Sequence, residues 1–198
     1  MKSYKPNENQ LNVLRHVANA VVKMDDEVIE EVLALCMVVE IEKNTDLILP
    51  GDVFRDVYFI LNGLVRVHYT KEDKDITFSF KSEHNFFTNS NYLYGHIQNF
   101  YYYTTLEKTV CLVFNYDKLE ILYKKHHALE TLGRKVVEQN YINALYNNNN
   151  ILYLSAEERY IRFLKTQSAL LQRVQLKYIA SYLGLTPETL SRLRAKYS

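Results

Sequence analysis

The sequence predicts an α+β protein: an N-terminal antiparallel β-roll of jelly-roll type, a long helix suited to dimerisation, and a C-terminal helix-turn-helix. Three observations carry this reading. Short strand-like runs follow one another from Val39 to Asn115 with turn signals at close spacing, which suits a barrel or roll better than a parallel sheet. The helical period returns after Asn115 and holds to about Leu152. The stretch LKYIASYLGLTPETLSRLR, Leu176 to Arg194, then places two short helices about a glycine turn.

The elements follow in order. Leu11, Leu14, Val17 and Val21, then Val28, Val32 and Leu35, make Leu11 to Val38 read as helix. Leu47 and Leu49 before Pro50-Gly51 make a short strand and a turn, and Val57 to Leu61 a second strand. Asn62-Gly63 is a strong signal for a tight hairpin turn. Leu64 to Thr70 alternates, with Val65, Val67 and Tyr69 on one face and Arg66 and His68 on the other. Lys71 to Asp75 is the next turn; Ile76, Phe78 and Phe80 define a strand face, and strands follow at Tyr101–Leu106 and Val110–Asn115.

Tyr116 to Lys125 is a short helix and His127 to about Leu152 a long one. Its stripe Leu129, Leu132 and Val136 is suited to a partner helix and forms the expected dimer seam. The four asparagines Asn147 to Asn150 are poor helix formers and mark a hinge or helix end. Ser155-Ala-Glu-Glu158 is a capping box opening a helix through Tyr160, Ile161 and Leu164. The expected domains are 1–126, 127–153 and 154–198.

Composition narrows the function. No apolar run approaches the roughly 18–20 residues of a membrane-spanning helix, and no apolar stretch follows Lys2 and Lys5 as in a secretory signal. Cys36 and Cys111 read as buried thiols, so a compact cytoplasmic protein is expected. The net charge of +1 hides an asymmetry. Residues 151–198 hold eight basic and three acidic side chains, net +5, leaving −4 on the preceding 150 residues. A basic tail on an acidic body is an electrostatic footprint of nucleic-acid binding.

The order of residues in that tail sharpens the point. Leu176, Ile179, Ala180 and Leu183 share a face, and Gly184 ends the first helix as a C′ glycine does. Thr186 is a good N-cap, Pro187 suits the first helical position, and Leu190 and Leu193 face inward. Glu188, Thr189, Ser191 and Arg192 then stand outward, and with Thr186 and Lys177 they are the candidate DNA-binding residues. Arg bonds both acceptors of guanine, Glu accepts from the cytosine amino group, and a capped helix N-terminus holds a phosphate.

The chain resembles the Crp/Fnr family of bacterial transcription regulators over about residues 10 to 196, particularly its shorter members without a clear nucleotide-binding signature. The carriers are LILPGDVFRDVYFILNGLVRVHY (Leu47–Tyr69), LSAEERYIRFL (Leu154–Leu164) and RVQLKYIASYLGLTPETLSRLR (Arg173–Arg194). The resemblance implies a ligand-sensing roll, a dimerising helix and a winged helix-turn-helix. It implies a homodimer on near-palindromic promoter DNA, usually in contact with RNA polymerase. Glu188 and Arg192 match the family's two best-kept base-reading positions, and Thr186 its phosphate-contacting cap. Pro187 falls where the cyclic-AMP receptor branch has a base-reading Arg, so that branch's operator does not carry over.

The sensing half departs from the nucleotide-binding pattern. Cyclic-nucleotide binders of this fold hold the ribose with a Gly-Glu pair and the phosphate with an Arg followed by a small hydroxyl residue. Those positions fall here on Thr88-Asn89 and Tyr101-Tyr102, the candidate effector-pocket residues. No Arg lies between Lys81 and Lys108, and burying a phosphate without a cation is costly. Cyclic AMP in the usual mode is therefore not expected, and no cofactor or metal is expected: Cys36 stands alone, His84 and His96 read as loop residues, and the adjacent His126-His127 point to different helix faces. The 17 tyrosines either line a pocket for an apolar effector or fill a core or dimer interface. No hydrolase, P-loop or zinc-protease motif is present, so an enzyme is not expected. The alternative is a ligand-sensing or interaction module of the same fold whose helix-turn-helix no longer reads DNA.

Overall fold

The computed structural model describes residues 1–197, and it breaks the amphipathic N-terminal stretch rather than running it as one helix. After strand β1 (Lys2–Tyr4), α1 spans Glu8–Val21 and α2 spans Asp26–Ala34. Asn7 and Gln10 form a capping box on α1, and the Asn19 side chain takes the Met24 N–H where the chain turns. The expected helix to Val38 stops at Ala34 because Met37–Ile41 is strand β2, fully paired with a later strand. The remaining strands are β3 (Asp46–Ile48), β4 (Asp56–Asn62), β5 (Val65–Lys71), β6 (Lys74–Lys81) and β7 (Phe86–Thr88). After α3 (Ser90–Gly95) come β8 (Tyr102–Thr105) and β9 (Thr109–Asn115).

Two sheets result, ordered β1-β2-β9-β4-β7 and β3-β8-β5-β6. Side chains alternate across the first sheet, and both of its faces are covered. Val38, Phe59, Leu112 and Phe114 face α1 and α2, whereas Val39, Ile60 and Cys111 face the roll interior with Ile48, Val65 and Val67. This explains near-continuous apolar strands where a half-solvated sheet would alternate with polar residues. Burial pushes the Cys36 thiol up to about 11 and Cys111 up to about 12.

One turn expectation is corrected and another is met. Asn62-Gly63 is no hairpin, because β4 and β5 lie in different sheets and the chain crosses between them there. Gly63 has φ +117°, and a Cβ on it would meet Thr109 Oγ1 at 2.5 Å, so close approach demands glycine. The expected turn at Lys71–Asp75 is present, a tight two-residue turn at Glu72-Asp73 with φ +50° and +62°, a type I′ geometry between β5 and β6. Arg66, opposite the apolar face of β5, is only 2% exposed.

The helical part comprises α4 (Tyr116–Lys125), α5 (His127–Tyr153), α6 (Ala156–Gln167), α7 (Leu170–Arg173), α8 (Leu176–Tyr182) and α9 (Pro187–Tyr197). The chain forms two compact units, residues 1–67 with 80–138 and residues 68–79 with 139–198. The division falls inside α5 rather than at the expected boundaries 126/127 and 153/154, and the β5–β6 hairpin tip groups with the second unit. Three further corrections follow. Leu129 and Leu132 are 4% and 7% exposed in the first unit's own core, and Val136 packs against it, so this stripe is already partnered within the chain. Asn147–Asn150 do not end the helix, which continues to Tyr153. From Ala156 to Tyr197 the described elements are all helical, so the wing has no counterpart there. Ser168–Arg173 lacks an alternating β pattern, and the Ser168 and Ala169 backbones stay right-handed helical.

Candidate nucleic-acid interface

The end of α8 is a Schellman cap: Leu185 N–H donates to the Ala180 carbonyl at 2.8 Å and Gly184 N–H to that of Ser181 at 3.0 Å. Gly184, at φ +63°, supplies the left-handed residue this geometry needs. Thr186 then accepts the Thr189 N–H on Oγ1 at 3.2 Å and opens α9, with Pro187 first in the helix. Ile179, Ala180, Leu183 and Leu190 are buried where α8 and α9 cross. The small Ala180 permits that approach. Helix α6 supports the pair through buried Tyr160 and Phe163, and Glu157 ties it to α9 by bonding Lys196 and Tyr197.

The asparagine run and α8 are braced in the same unit. Tyr182 donates its hydroxyl to Asn147 Oδ1 at 3.0 Å and accepts from Gln167 at 3.1 Å. Arg162 donates to Asn150 Oδ1 at 2.9 Å and lies over the Tyr146 ring. These partners offset the weak helix propensity of the asparagines. At the other side of α8, Ser181 Oγ accepts the Thr77 N–H at 2.9 Å and donates to the Asp75 carbonyl at 3.1 Å, holding the β5–β6 tip.

Of the candidate DNA-binding residues, Lys177, Thr186, Glu188, Ser191 and Arg192 are exposed and Thr189 is half-buried. Four of the six lie on the first turns of α9 and Thr186 caps its start; Lys177 is on α8, its ammonium over the Tyr178 ring. Thr186 donates to Thr189 Oγ1 at 3.1 Å, and Arg192 Nη2 donates to the same oxygen at 3.3 Å. The helix-start backbone N–H, the Thr186 hydroxyl and the Arg192 charge hold the Glu188 carboxyl below the usual carboxylate range. The surface therefore offers an ionised acceptor and a planar cationic fork one turn apart, beside a capped helix N-terminus.

The effector-pocket candidates behave differently. Thr88 Oγ1 donates to the Asp56 carbonyl at 2.7 Å. Asn89, fully buried, gives Nδ2 to Asp52 and takes the Tyr92 N–H. Both are committed to backbone groups of the protein itself, at Asp56 and Asp52 and, for Asn89, at Tyr92. Tyr101 packs on the roll core, and Tyr102 is half-buried at the start of β8. The sequence reading passed over Tyr103, which donates to the Thr88 carbonyl at 3.0 Å and stacks on Phe87, itself stacked on Tyr58. It also passed over buried Asn99, which pins the Leu49 and Tyr101 carbonyls. Desolvation raises both Tyr58 and Tyr103 far above the ordinary phenol value, so both phenols stay neutral.

Residues 38–126 match the family model of the cyclic nucleotide-binding domain. Among solved structures, the chain is similar to the c-di-GMP-responsive global regulator CLP of Xanthomonas campestris, with 17% identity and a TM-score of 0.68 over 87% of this chain and 91% of that one. FixK2 from Bradyrhizobium japonicum gives 17% identity and a TM-score of 0.71 over 80% and 82%. A Eubacterium rectale protein described as a transcriptional regulator of the Crp/Fnr family gives 13% and 0.67 over 88% and 83%. These likenesses establish the fold. A search of curated proteins finds no match. No helix among the described residues is long and apolar enough to cross a membrane.

Proposed function

We propose that this chain, with its cyclic-nucleotide-binding fold, is a sequence-specific DNA-binding transcription regulator of the Crp/Fnr type. It works as a cytoplasmic homodimer on near-palindromic promoter sites, contacts RNA polymerase as such regulators do, and is not an enzyme. The observation that carries this reading is the exposed pair Glu188 and Arg192, one turn apart on a helix whose capped start also faces solvent. In the major groove Arg192 donates its fork to guanine O6 and N7, Glu188 accepts from a cytosine amino group, and Thr186 holds a backbone phosphate. Two such helices, about 34 Å apart in a dimer, read successive grooves on one DNA face.

Pairing runs along a different stretch of α5 from the stripe first expected. Val137, Tyr141, Leu145 and Leu152 are exposed apolar residues at four- and seven-residue spacings, which suits a helix–helix seam. Cyclic nucleotides in the usual mode do not fit the reading. Thr88 and Asn89 are spent on backbone, tyrosines stand where the phosphate-binding Arg would be, and the Tyr58–Phe87–Tyr103 stack occupies the roll interior. Selection of bound fragments from a random DNA pool, at fixed near-physiological salt, tests the proposal. An enriched inverted repeat with half-sites about one helical turn apart supports it. No enrichment, with or without cell extract, favours an interaction module.

A further inference from the structure

Behind the roll, the first unit contains a second feature of a different character. A cavity of about 80 Å³, partly open to solvent, lies among α1, α2, the outer faces of β4 and β9, α4 and the start of α5. Its wall is apolar, with Leu14, Ile29, Leu33, Phe114 and Leu132 prominent. Native cores leave few voids larger than a water molecule, and a void's lining forgoes contacts that an occupant would restore. Arg15 and the tyrosines Tyr94, Tyr116 and Tyr123 bring polar groups to the apolar wall. Arg15, 30% exposed at its side chain and so at the rim, uses Nη1 on Asn12 and Nη2 on Glu30, whereas its Nε is buried with no hydrogen-bond partner. Tyr123 packs closely against α5 because position 133 is glycine: a Cβ there would stand 2.9 Å from the Tyr123 hydroxyl. A glycine inside a helix is unfavourable in itself, and here it makes room for the ring that lines the cavity.

We infer that this cavity binds a small neutral molecule with a short aliphatic end and one hydrogen-bond acceptor. The volume is roughly half that of the ~150 Å³ engineered cavity known to take benzene, so a chain of about four carbons enters rather than a ring. The acceptor oxygen takes the free N–H of Arg15 Nε at the rim. Glu30 already balances the Arg15 charge at 2.5 Å, so an anionic ligand gains no net attraction and is disfavoured. Binding stands independently of the DNA-reading proposal; only its consequence rests on that reading. Val137 lines the cavity and also belongs to the exposed seam of α5, so an occupant bears on the helix through which two copies pair.

The probes are 2-hexanone and, as the charged control, hexanoate, titrated into the full-length protein and followed by methyl NMR. Saturable shifts are expected with the ketone, with intermolecular NOEs to methyls of Leu14, Ile29, Leu33 and Leu132, and binding at least about tenfold weaker for hexanoate. Ala18→Leu, which extends a buried cavity-lining side chain into the space, is expected to abolish the effect. Should that variant not fold, the NOE pattern on the natural chain decides. No saturable binding, NOEs to Ile48, Ile60 and Val65 of the roll interior, or equal affinity for hexanoate overturns the inference. If ketone binding is found while DNA selection enriches nothing, the regulator reading falls and this site stands.

Discussion

Replacing Arg192 with alanine separates a reading residue from a structural one. The side chain is exposed, and its one hydrogen bond described above runs to the Thr189 hydroxyl at 3.3 Å. Removing it leaves the α8–α9 core of Ile179, Ala180 and Leu190 intact, so the unfolding free energy is expected to change by less than about 0.5 kcal/mol. The cost falls on discrimination. A bidentate Arg–guanine contact is worth about 1–3 kcal/mol against the wrong base, roughly 5- to 150-fold per half-site. A symmetric dimer carries two such contacts, so preference for the selected site over its guanine-substituted variant drops by roughly 30- to 20,000-fold. Fluorescence anisotropy on both duplexes across a salt series measures this, with thermal unfolding alongside. Non-specific affinity is expected to persist, with a log–log salt slope nearly as steep as in the natural protein. Unchanged discrimination with unchanged stability refutes the assigned role. A large loss of stability would mean that Arg192 supports the fold.

Four other substitutions probe the fold and the seam. Leu132→Ala is expected to cost about 2–5 kcal/mol of unfolding free energy by opening a core cavity, whereas Leu145→Lys leaves the protomer folded and dissociates the dimer; chemical denaturation and sedimentation distinguish them. Ser155→Ala removes a capping box and costs about 1 kcal/mol at neutral pH. Because Ser155 holds the ionised Glu158 carboxylate and lowers its pKa from 4.5, that linkage is full above 4.5 and lost as pH falls through the lowered value. An NMR titration of Glu158 is expected to move up toward 4.5 in the variant; an unmoved midpoint would show that Ser155 is not the cause. Gly63→Ala combines a positive φ with a Cβ 2.6 Å from the Thr109 backbone, and is expected to destabilise by about 2 kcal/mol or more in a melt. A neutral result would mean that the sheet crossing yields easily.

The candidate interface was legible to a degree the sensing half was not. Gly184, Thr186, Pro187 and the Ser155–Glu158 box act within a few residues of themselves, so their sequence order already specified the caps found. Helix α4 has the expected bounds Tyr116–Lys125 for the same reason, capped by Asn115. The pocket residues were placed by counting along the chain. What Thr88 and Asn89 do depends on the Asp56 and Asp52 carbonyls, over thirty positions away. Tyr103 carried no local signal beyond its type, and its role arises only where β8 meets β7 and β4 through Phe87 and Tyr58.

Local stereochemistry, then, was determined by the sequence alone: the caps at Ser155, Gly184 and Thr186, the bounds of α4, and the outward face of α9. Tertiary structure decided who covers each apolar face. Periodicity marks Leu129 and Leu132 as a stripe without naming its partner, and the chain's own core claims them, leaving Tyr141 and Leu145 outside. Propensity marks Asn147–Asn150 as a break, but hydrogen bonds from Tyr182 and Arg162 keep them helical. Asn62-Gly63 reads as a hairpin by local energy, and becomes a crossing because its two strands find better partners in different sheets. In each case a contact distant in sequence outweighs a local preference of about 1 kcal/mol or less.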